Sequence, residues 1–266
     1  MNTAIIIPSR DRVEVLSSKS RHTLTYAKHS KHPVYVVVRE SEFAAYEEFA
    51  KAFAANVLTV PEHVDRIAKT YDYVMAMTGP AVKKLLFMDD DLIFAERCDF
   101  SSPKLTNVVP ERFDEIAEAL FAALDEPRVA MAGLAHRRGA QTHTEPKRYN
   151  QKLIAVLACN VEALRGKKWD WGYDSMFDHN MVLECLVEGW RNVQISRFTH
   201  DDILPRHAKG GCTEYRSMDV HSNAAIALSK KYPNIVTLRD KWAESANRYG
   251  LDVTMHMKKA FGDGTE

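Results

Sequence analysis

The chain has 266 residues, is 45% hydrophobic, and sets 36 Lys plus Arg against 36 Asp plus Glu; it is long and apolar enough for one large α/β domain, and its overall charge shows no polyanion partner. Its four cysteines (Cys98, Cys159, Cys185, Cys212) lie far apart without zinc-site spacing, which excludes a disulfide scaffold and predicts buried thiols in a reducing, cytoplasmic compartment. MNTAIIIPSRDR has no basic n-region and no apolar run nears the roughly 18–20 residues of a membrane span, so neither a secretory leader nor a membrane segment is expected.

Residues 3–7 (TAIII), stopped by Pro8, read as a buried first strand. After SRDR, residues 13–29 have the polarity of a surface helix. VYVVV (34–38) gives a second strand, with Arg39-Glu40 at its end. SEFAAYEEFAKAFAA (41–55) shows helical apolar spacing with Ser41 as its N-cap. VLTV (57–60) is a third strand, residues 63–78 a helix ended by Gly79-Pro80, and LLFM (85–88) a fourth strand. Strands alternating with helices predict an α/β fold with a mostly parallel, doubly wound sheet, whose ligands bind beyond the carboxyl ends of the strands. Ser9-Arg10, Arg39-Glu40 and Asp89–Asp91 occupy those ends and should share one crevice.

Residues 110–125 follow as an acidic amphipathic helix, then strands over 129–134 (VAMAGL) and 152–158 (KLIAVLA) with a basic loop between them. Residues 174–190 read as a helix presenting Leu183, Leu186, Val187 and Trp190 on one face. VQIS (193–196) is a last strand, followed by FTHDD, the glycines of AKGGC, and short helices to the end. The pattern suits a single domain over 1–266, with a nucleotide-binding half (1–100), an acceptor and catalytic half (101–225), and a helical C-terminal region (226–266).

KKLLFMDDDLIF (83–94) runs an apolar strand into three aspartates. In an extended chain Asp89 and Asp91 face one side and Asp90 the other. Two carboxylates so placed repel by roughly 3 kcal/mol at an effective dielectric near 20. A divalent cation removes that repulsion, and hard oxygen ligands suit Mg²⁺ or Mn²⁺ bridging to substrate phosphates. A solvated turn is the alternative; the strand-end position, in line with Ser9-Arg10 and Arg39, favours the metal.

IIIPSRDR at the first strand, a charged end to the second, and FMDDD near residue 90 together resemble a GT-A glycosyltransferase with a Rossmann-like sheet. That resemblance, over roughly residues 3–215, implies a nucleoside-diphosphate sugar donor, a UDP-sugar foremost, held through Mn²⁺ or Mg²⁺. It implies Asp91 as direct metal ligand, Asp89 as a ligand nearer the ribose, and Asp90, Pro8, Ser9, Arg10 and Arg39 around the nucleotide. Arg66 and Lys69, in HVDRIAKTYDYVM, resemble the basic helix that touches base and phosphate. CNVEALRGKKWDWGYDSMFDHNMVLECLVEGW is similar to the acceptor-side signature, but Phe177-Asp178-His179 replaces the usual acidic pair. Asp178 is then the first candidate for the catalytic base and Asp174 the reserve; His200 in RFTHDD matches the late metal-ligating histidine, with Asp201 as substitute. A base opposite the leaving group implies inversion; without one a retaining route opens.

PSRDR, FMDDD and the late KGG also resemble phage-type DNA glycosyltransferases of the TET/JBP-associated group. This implies transfer to the hydroxymethyl group of a modified pyrimidine in double-stranded DNA, inside the host cytoplasm for a phage-encoded chain. Arg137, Arg138, Lys147, Arg148 and Lys152, with Arg206, Lys209 and Arg216, give two locally basic segments for such a duplex, offset by an acidic surplus over 111–126. Trp171 or Tyr173 would stack on a flipped base, although Trp169, Trp171 and Tyr173 suit core packing equally, and Gly210-Gly211 suits a phosphate cradle or a plain loop. A polysaccharide or small-molecule acceptor, a nucleotidyltransferase and a non-catalytic nucleotide-sugar module remain the alternatives. The absence of GxxxxGK[ST] and GxGxxG excludes a P-loop ATPase and argues against a dinucleotide oxidoreductase.

Overall fold

The computed structural model describes residues 2–205, 208–213, 215, 217–240 and 250–262. Its strands are β1 (Thr3–Pro8), β2 (Val34–Arg39), β3 (Asn56–Val60), β4 (Lys84–Met88), β5 (Leu92–Glu96), β6 (Thr106–Asn107), β7 (Val129–His136), β8 (Lys147–Tyr149), β9 (Val156–Asn160), β10 (Arg191–Asp202), β11 (Val236–Asp240) and β12 (Leu251–Met255). Its α-helices are α1 (Val13–Ser17), α2 (Thr23–Ala27), α3 (Phe43–Lys51), α4 (Ile67–Met77), α5 (Phe113–Ala123), α6 (Arg137–Ala140), α7 (Phe177–Val187), α8 (Met218–Lys231) and α9 (Met257–Ala260).

Among the described residues ten strands form one mixed sheet in the order β3-β2-β1-β4-β9-β7-β10-β5-β6, with β8 joined to β10. The pairs β3–β2, β2–β1 and β1–β4 are parallel, as the alternation predicts. β9 runs against both β4 and β7, so β7 points the same way as β4, and β10 is parallel to β7. The carboxyl ends of β1, β2, β4, β7 and β10 therefore open on one edge. The chain also reverses its winding about β1, flanked by β2 and β4, which creates a crevice at that edge.

Helices cover both faces, so the central strands read as unbroken apolar runs. β1 sends Ile5 and Ile7 to one side, with Leu24, Tyr46 and Leu120 of α2, α3 and α5. Ala4 and Ile6 go to the other, with Tyr71, Leu183 and Leu228 of α4, α7 and α8. β4 splits Leu86 and Met88 from Leu85 and Phe87 in the same way. Each such side chain, fully buried, stabilises the fold by roughly 1.5–3 kcal/mol.

Several elements differ from expectation for local reasons. Residues 13–29 form two short helices rather than one surface helix, burying Leu16, Leu24, Tyr26 and Ala27. The break falls at His22, which is extended and donates its amide to Thr25 Oγ1. Ser41 does not cap α3; it lies in a 3-10 turn and donates its amide to Glu62 at 2.7 Å. The strand expected over 152–158 starts at Val156 because Ala155 turns to a φ of 61°. α7 is shorter than 174–190, and its last residue, Val187, faces outward. FTHDD is not a loop but the end of β10, which pairs with an unanticipated strand, β5. The C-terminal region holds an antiparallel pair, β11–β12, besides its helices. No helix among the described residues is long and apolar enough to cross a membrane.

Candidate active site

The three aspartates form the turn between β4 and β5, and a turn abolishes the side-to-side alternation of an extended run. Asp90 and Asp91 instead converge on Arg12, whose Nη1 lies 2.6 Å from Asp90 Oδ1 and 3.2 Å from Asp91 Oδ2. Asp90 is only 3% exposed and accepts a second bond from Ser9 Oγ, which also meets Tyr46 Oη at 2.8 Å. The turn is clamped through its backbone. Thr23 Oγ1 donates to the Asp89 carbonyl at 2.5 Å and accepts from the Leu92 amide at 2.9 Å. The Ile203 amide donates to the Asp91 carbonyl and the Asp89 amide to the Ala155 carbonyl, at 2.9 and 3.0 Å.

Charge at this turn is not balanced. Burial, then Asp90, then Asp202 push the Asp91 carboxyl up to about 7 against the opposing pull of Arg12. Burial disfavours the Arg12 cation, but Asp90 and Asp91 outweigh it and hold its pKa above the usual arginine value. One guanidinium thus serves more carboxylate than it can neutralise. Sequence reading passed over Arg12 and Asp202; the signal for the first was the second arginine of SRDR, two positions beyond Arg10.

The KGG turn closes on the same place. The Gly211 amide donates to the Arg10 carbonyl at 2.8 Å, and both glycines are left-handed, with φ of 79° and 62°. A Cβ on Gly210 would meet the carbonyl oxygens of Arg10 and Asp11, and one on Gly211 would meet the Arg12 guanidinium. The glycines are explained by close backbone approach to the β1 tip. Lys209 reaches outward to Asp11, 3.6 Å away.

A cavity of about 540 Å³ lies along this edge. Pro8, Ser9, Arg10, Arg39, Arg66 and the three aspartates line it, as does Gly211, whereas Lys69, Lys209 and Gly210 do not. Lys69 is spent on Asp65, just before the start of its helix, at 2.8 Å. Arg10 also holds this segment, donating from Nη1 to the Asp65 carbonyl at 3.0 Å. Arg66 lies over the Tyr215 ring, 4.5 Å from its centroid, with Nε 3.0 Å from Asp174 Oδ1. Asp174 therefore faces a cation.

Asp178 and His179, at the first turn of α7, line the same cavity together with Lys152. His179 Nδ1 lies 2.6 Å from Asp178 Oδ1, which also accepts the His179 amide at 2.8 Å. Burial alone would raise the Asp178 carboxyl, yet His179 and Lys152 pull it down to about 2. Just before them Met176 is left-handed, with φ 59° and ψ 23°, a conformation that costs a non-glycine residue about 1–2 kcal/mol. Also lining the cavity, Ser175 Oγ is 3.1 Å from His221 Nδ1, and His221 Nε2 is 3.7 Å from Asp252.

The remaining expected residues lie elsewhere. His200 is fully buried inside β10, edge-on to His136 at 5.2 Å, with neither ring nitrogen hydrogen-bonded; burial pushes its pKa down to about 3. Because β10 runs on to Asp202, the histidine stops two residues short of the tip, and Asp202 lines the cavity in its stead. Asp201 faces His136 at 3.5 Å. Trp171 donates Nε1 to the Ser175 carbonyl and leans on Tyr173, outside the lining. Trp169 is core, edge-on to Tyr71, which stacks on Phe87 at 4.1 Å. Arg137 donates to Asn107 at 2.9 Å on the far strand edge, and Arg138 is exposed on α6; neither lines the cavity. Lys147 pairs with Glu126 at 2.7 Å and Arg148 with the His143 ring at 2.6 Å. Arg206, His207, Glu214 and Arg216 fall outside the described residues.

Against known proteins, a family model described as TET-Associated Glycosyltransferase matches residues 3–203, from β1 to just past β10. No curated protein matches the chain. Among solved structures it is similar to mannose-1-phosphate geranyltransferase from Thermus thermophilus, at 15% identity over 76% of each chain with a TM-score of 0.42. It is also similar to 4-diphosphocytidyl-2C-methyl-D-erythritol synthase from Anaerococcus prevotii, at 10% identity over 67% of this chain and 82% of that one, TM-score 0.39. A third is mouse xyloside xylosyltransferase 1, at 11% identity over 71% and 75%, TM-score 0.34.

Proposed function

The chain belongs to the TET-associated glycosyltransferase family, and from that premise we propose that its cleft transfers a sugar from a nucleoside-diphosphate donor to an acceptor hydroxyl. The observation that carries this reading is the convergence of carboxylates at the β4 tip, where burial, Asp90 and Asp202 push Asp91 up to about 7 despite Arg12. A 540 Å³ cavity that holds this group at one wall and Arg10, Arg39 and Arg66 around it suits an anionic, sugar-bearing ligand.

The donor set fits a hard divalent cation, Mn²⁺ or Mg²⁺, because it is all oxygen and carries surplus negative charge. Asp89, Asp91 and Asp202 would hold it; Asp90 is taken up by Ser9 and Arg12, and His200 has no part. Among the described residues no group of three or more His, Cys, Asp or Glu is already placed to hold a metal ion, so water and substrate phosphate would have to complete its shell. When bound, the ion would stabilise the departing diphosphate as a Lewis acid. The protein's own groups do the rest. Arg10, Arg39 and Arg66 bind the nucleotide, the clamped β4–β5 turn fixes the carboxylates, and the Asp178 end of the cleft takes the acceptor proton. Attack from that wall, opposite the diphosphate, gives inversion.

The acceptor is a hydroxymethylated pyrimidine in DNA, and the donor nucleotide is uridine diphosphate. Supporting the first, α6 and its Arg137-Arg138 leave the sheet at the same edge as the cleft. Favouring a smaller acceptor instead, Lys147 and Arg148 are used internally. The test is thermal-shift titration against nucleotide sugars with and without Mn²⁺, followed by mass analysis of hydroxymethylcytosine DNA and of unmodified DNA. A UDP-sugar should stabilise the protein more with Mn²⁺ and add one sugar mass to the hydroxymethylated DNA only. Donor hydrolysis without any addition to DNA would turn the assignment to another acceptor.

A further inference from the structure

We propose that the atom which takes the acceptor proton is Nε2 of His179, and that Asp178 acts through it as a positioning residue. The proposal rests on the glycosyl-transfer reading above and specifies its proton chemistry.

The two side chains are adjacent at the start of α7 and both face the cleft. Asp178 Oδ1 is 2.6 Å from His179 Nδ1. A carboxylate at that distance holds the proton on Nδ1 and leaves the lone pair on Nε2. Nε2 has no hydrogen-bond partner among the described residues and is not among the occluded polar atoms. Asp178 is a poor proton acceptor on two counts. Its Oδ1 already receives the imidazole and the His179 amide. Its carboxylate, although buried, is also held below the usual range by His179 and Lys152, which disfavours its taking a proton. Imidazole is the side chain type suited to work near neutrality.

The step balances. The acceptor oxygen forms its bond to the anomeric carbon while its proton passes to Nε2. The bond from that carbon to the diphosphate oxygen breaks, and its electron pair leaves with the nucleoside diphosphate. The imidazolium, its Nδ1–H still donated to the Asp178 carboxylate, then gives the Nε2 proton to water. The charged and titratable groups facing the pair are Lys152 from the segment before β9 and Tyr71 from α4. Asp174 and Asp202 line the same cavity further along.

The experiment compares the full chain with His179→Gln, His179→Ala and Asp178→Asn, each checked for donor binding by thermal shift so that folding and donor affinity are read apart from chemistry. His179→Gln should bind donor as the parent does but lose about 10²–10⁴-fold in kcat, and the acid limb of its pH–rate profile should vanish. Added imidazole should restore part of the rate of His179→Ala. Asp178→Asn should keep the acid limb, at a reduced rate because the imidazole is no longer held in its tautomer. A His179→Gln variant that retains the limb and its rate within about threefold, or an Asp178→Asn variant that alone abolishes the limb, would overturn the proposal. A parent protein that binds donor yet never transfers sugar would instead bring down the parent reading, and this one with it.

Discussion

The two walls of the cleft are built differently. At the donor wall the groups at the β1 and β4 tips are brought in and then bonded to their neighbours: Ser9 and Arg12 to Asp90, Thr23 to both sides of the turn, Gly211 to Arg10. Glu40 at the β2 tip stays exposed outside the lining. On the acceptor side the charges that suggested a polyanion surface are dispersed. Lys147, Arg148 and Arg137 each bond a neighbour in the chain, and of these charges among the described residues only Lys152 lines the cavity. A residue at the end of a buried strand is positioned by the sheet itself. A residue in a connecting loop goes where its own contacts take it.

The sharpest way to break that contrast is Asp91→Asn. At the donor wall it removes one carboxylate from a shared charge site, and losing several kcal/mol of charge stabilisation lowers the rate by about 10³-fold. Initial rates of sugar transfer and of donor hydrolysis measure it. A value within tenfold of the parent would show that the turn is only structural.

Next in size is acid sensitivity, which tests whether the donor wall is part of the core. His22 packs on Phe49 and Phe53 and adjoins Thr23, the residue clamping the aspartate turn. Burial lowers its pKa to about 4, against an ordinary 6.5 or so. The unfolded chain therefore binds the proton first. Stability is complete above pH 6.5 or so and falls as pH drops toward 4, by about 3 kcal/mol in all. Urea midpoints between pH 7 and pH 4.5 should show this slope, and His22→Leu should flatten it.

Gly210→Ala has a smaller effect. The added Cβ meets two carbonyl oxygens of the β1 tip in a left-handed conformation, so the turn must shift, at a cost of roughly 1–3 kcal/mol. We expect a Tm several degrees lower and a several-fold higher donor KM with kcat little changed. A loss of Tm without a change in KM would separate the turn from the donor wall.

The contrast also explains what the sequence made legible. TAIIIP, VYVVVR and LLFMDDD carry their own registration: apolar runs covered on both faces, each ending in polar residues that the parallel winding must gather at one edge. Of the residues expected there, Pro8, Ser9, Arg10, Arg39 and the three aspartates line the cavity, and Glu40 does not. Arg12 was hidden because what it does depends on a turn that breaks the strand's alternation. His200 was misplaced by local order: FTHDD looks like a loop, but pairing with β5 extends β10 to Asp202. That pairing joins segments about a hundred residues apart and leaves no trace in either. The basic loop failed for a third reason, since charge composition does not record which partner each charge has.

The smallest effect concerns that loop. α6 stands at the open edge of the sheet, beyond β7, with Arg138 exposed and Arg137 bonded to Asn107. Were a duplex to lie across this edge, its phosphates would meet these two side chains without either entering the cavity. The double variant Arg137→Ala/Arg138→Ala should then leave donor binding and turnover of a nucleoside acceptor unchanged. Its DNA affinity should depend less steeply on salt, with the slope of log K against log salt reduced by up to about 1.8, near 0.9 for each phosphate no longer neutralised. Filter-binding titrations at a series of salt concentrations give the slope directly. An unchanged slope removes α6 from the DNA path and leaves Lys152, inside the cleft, as the basic group that this loop offers to a phosphate.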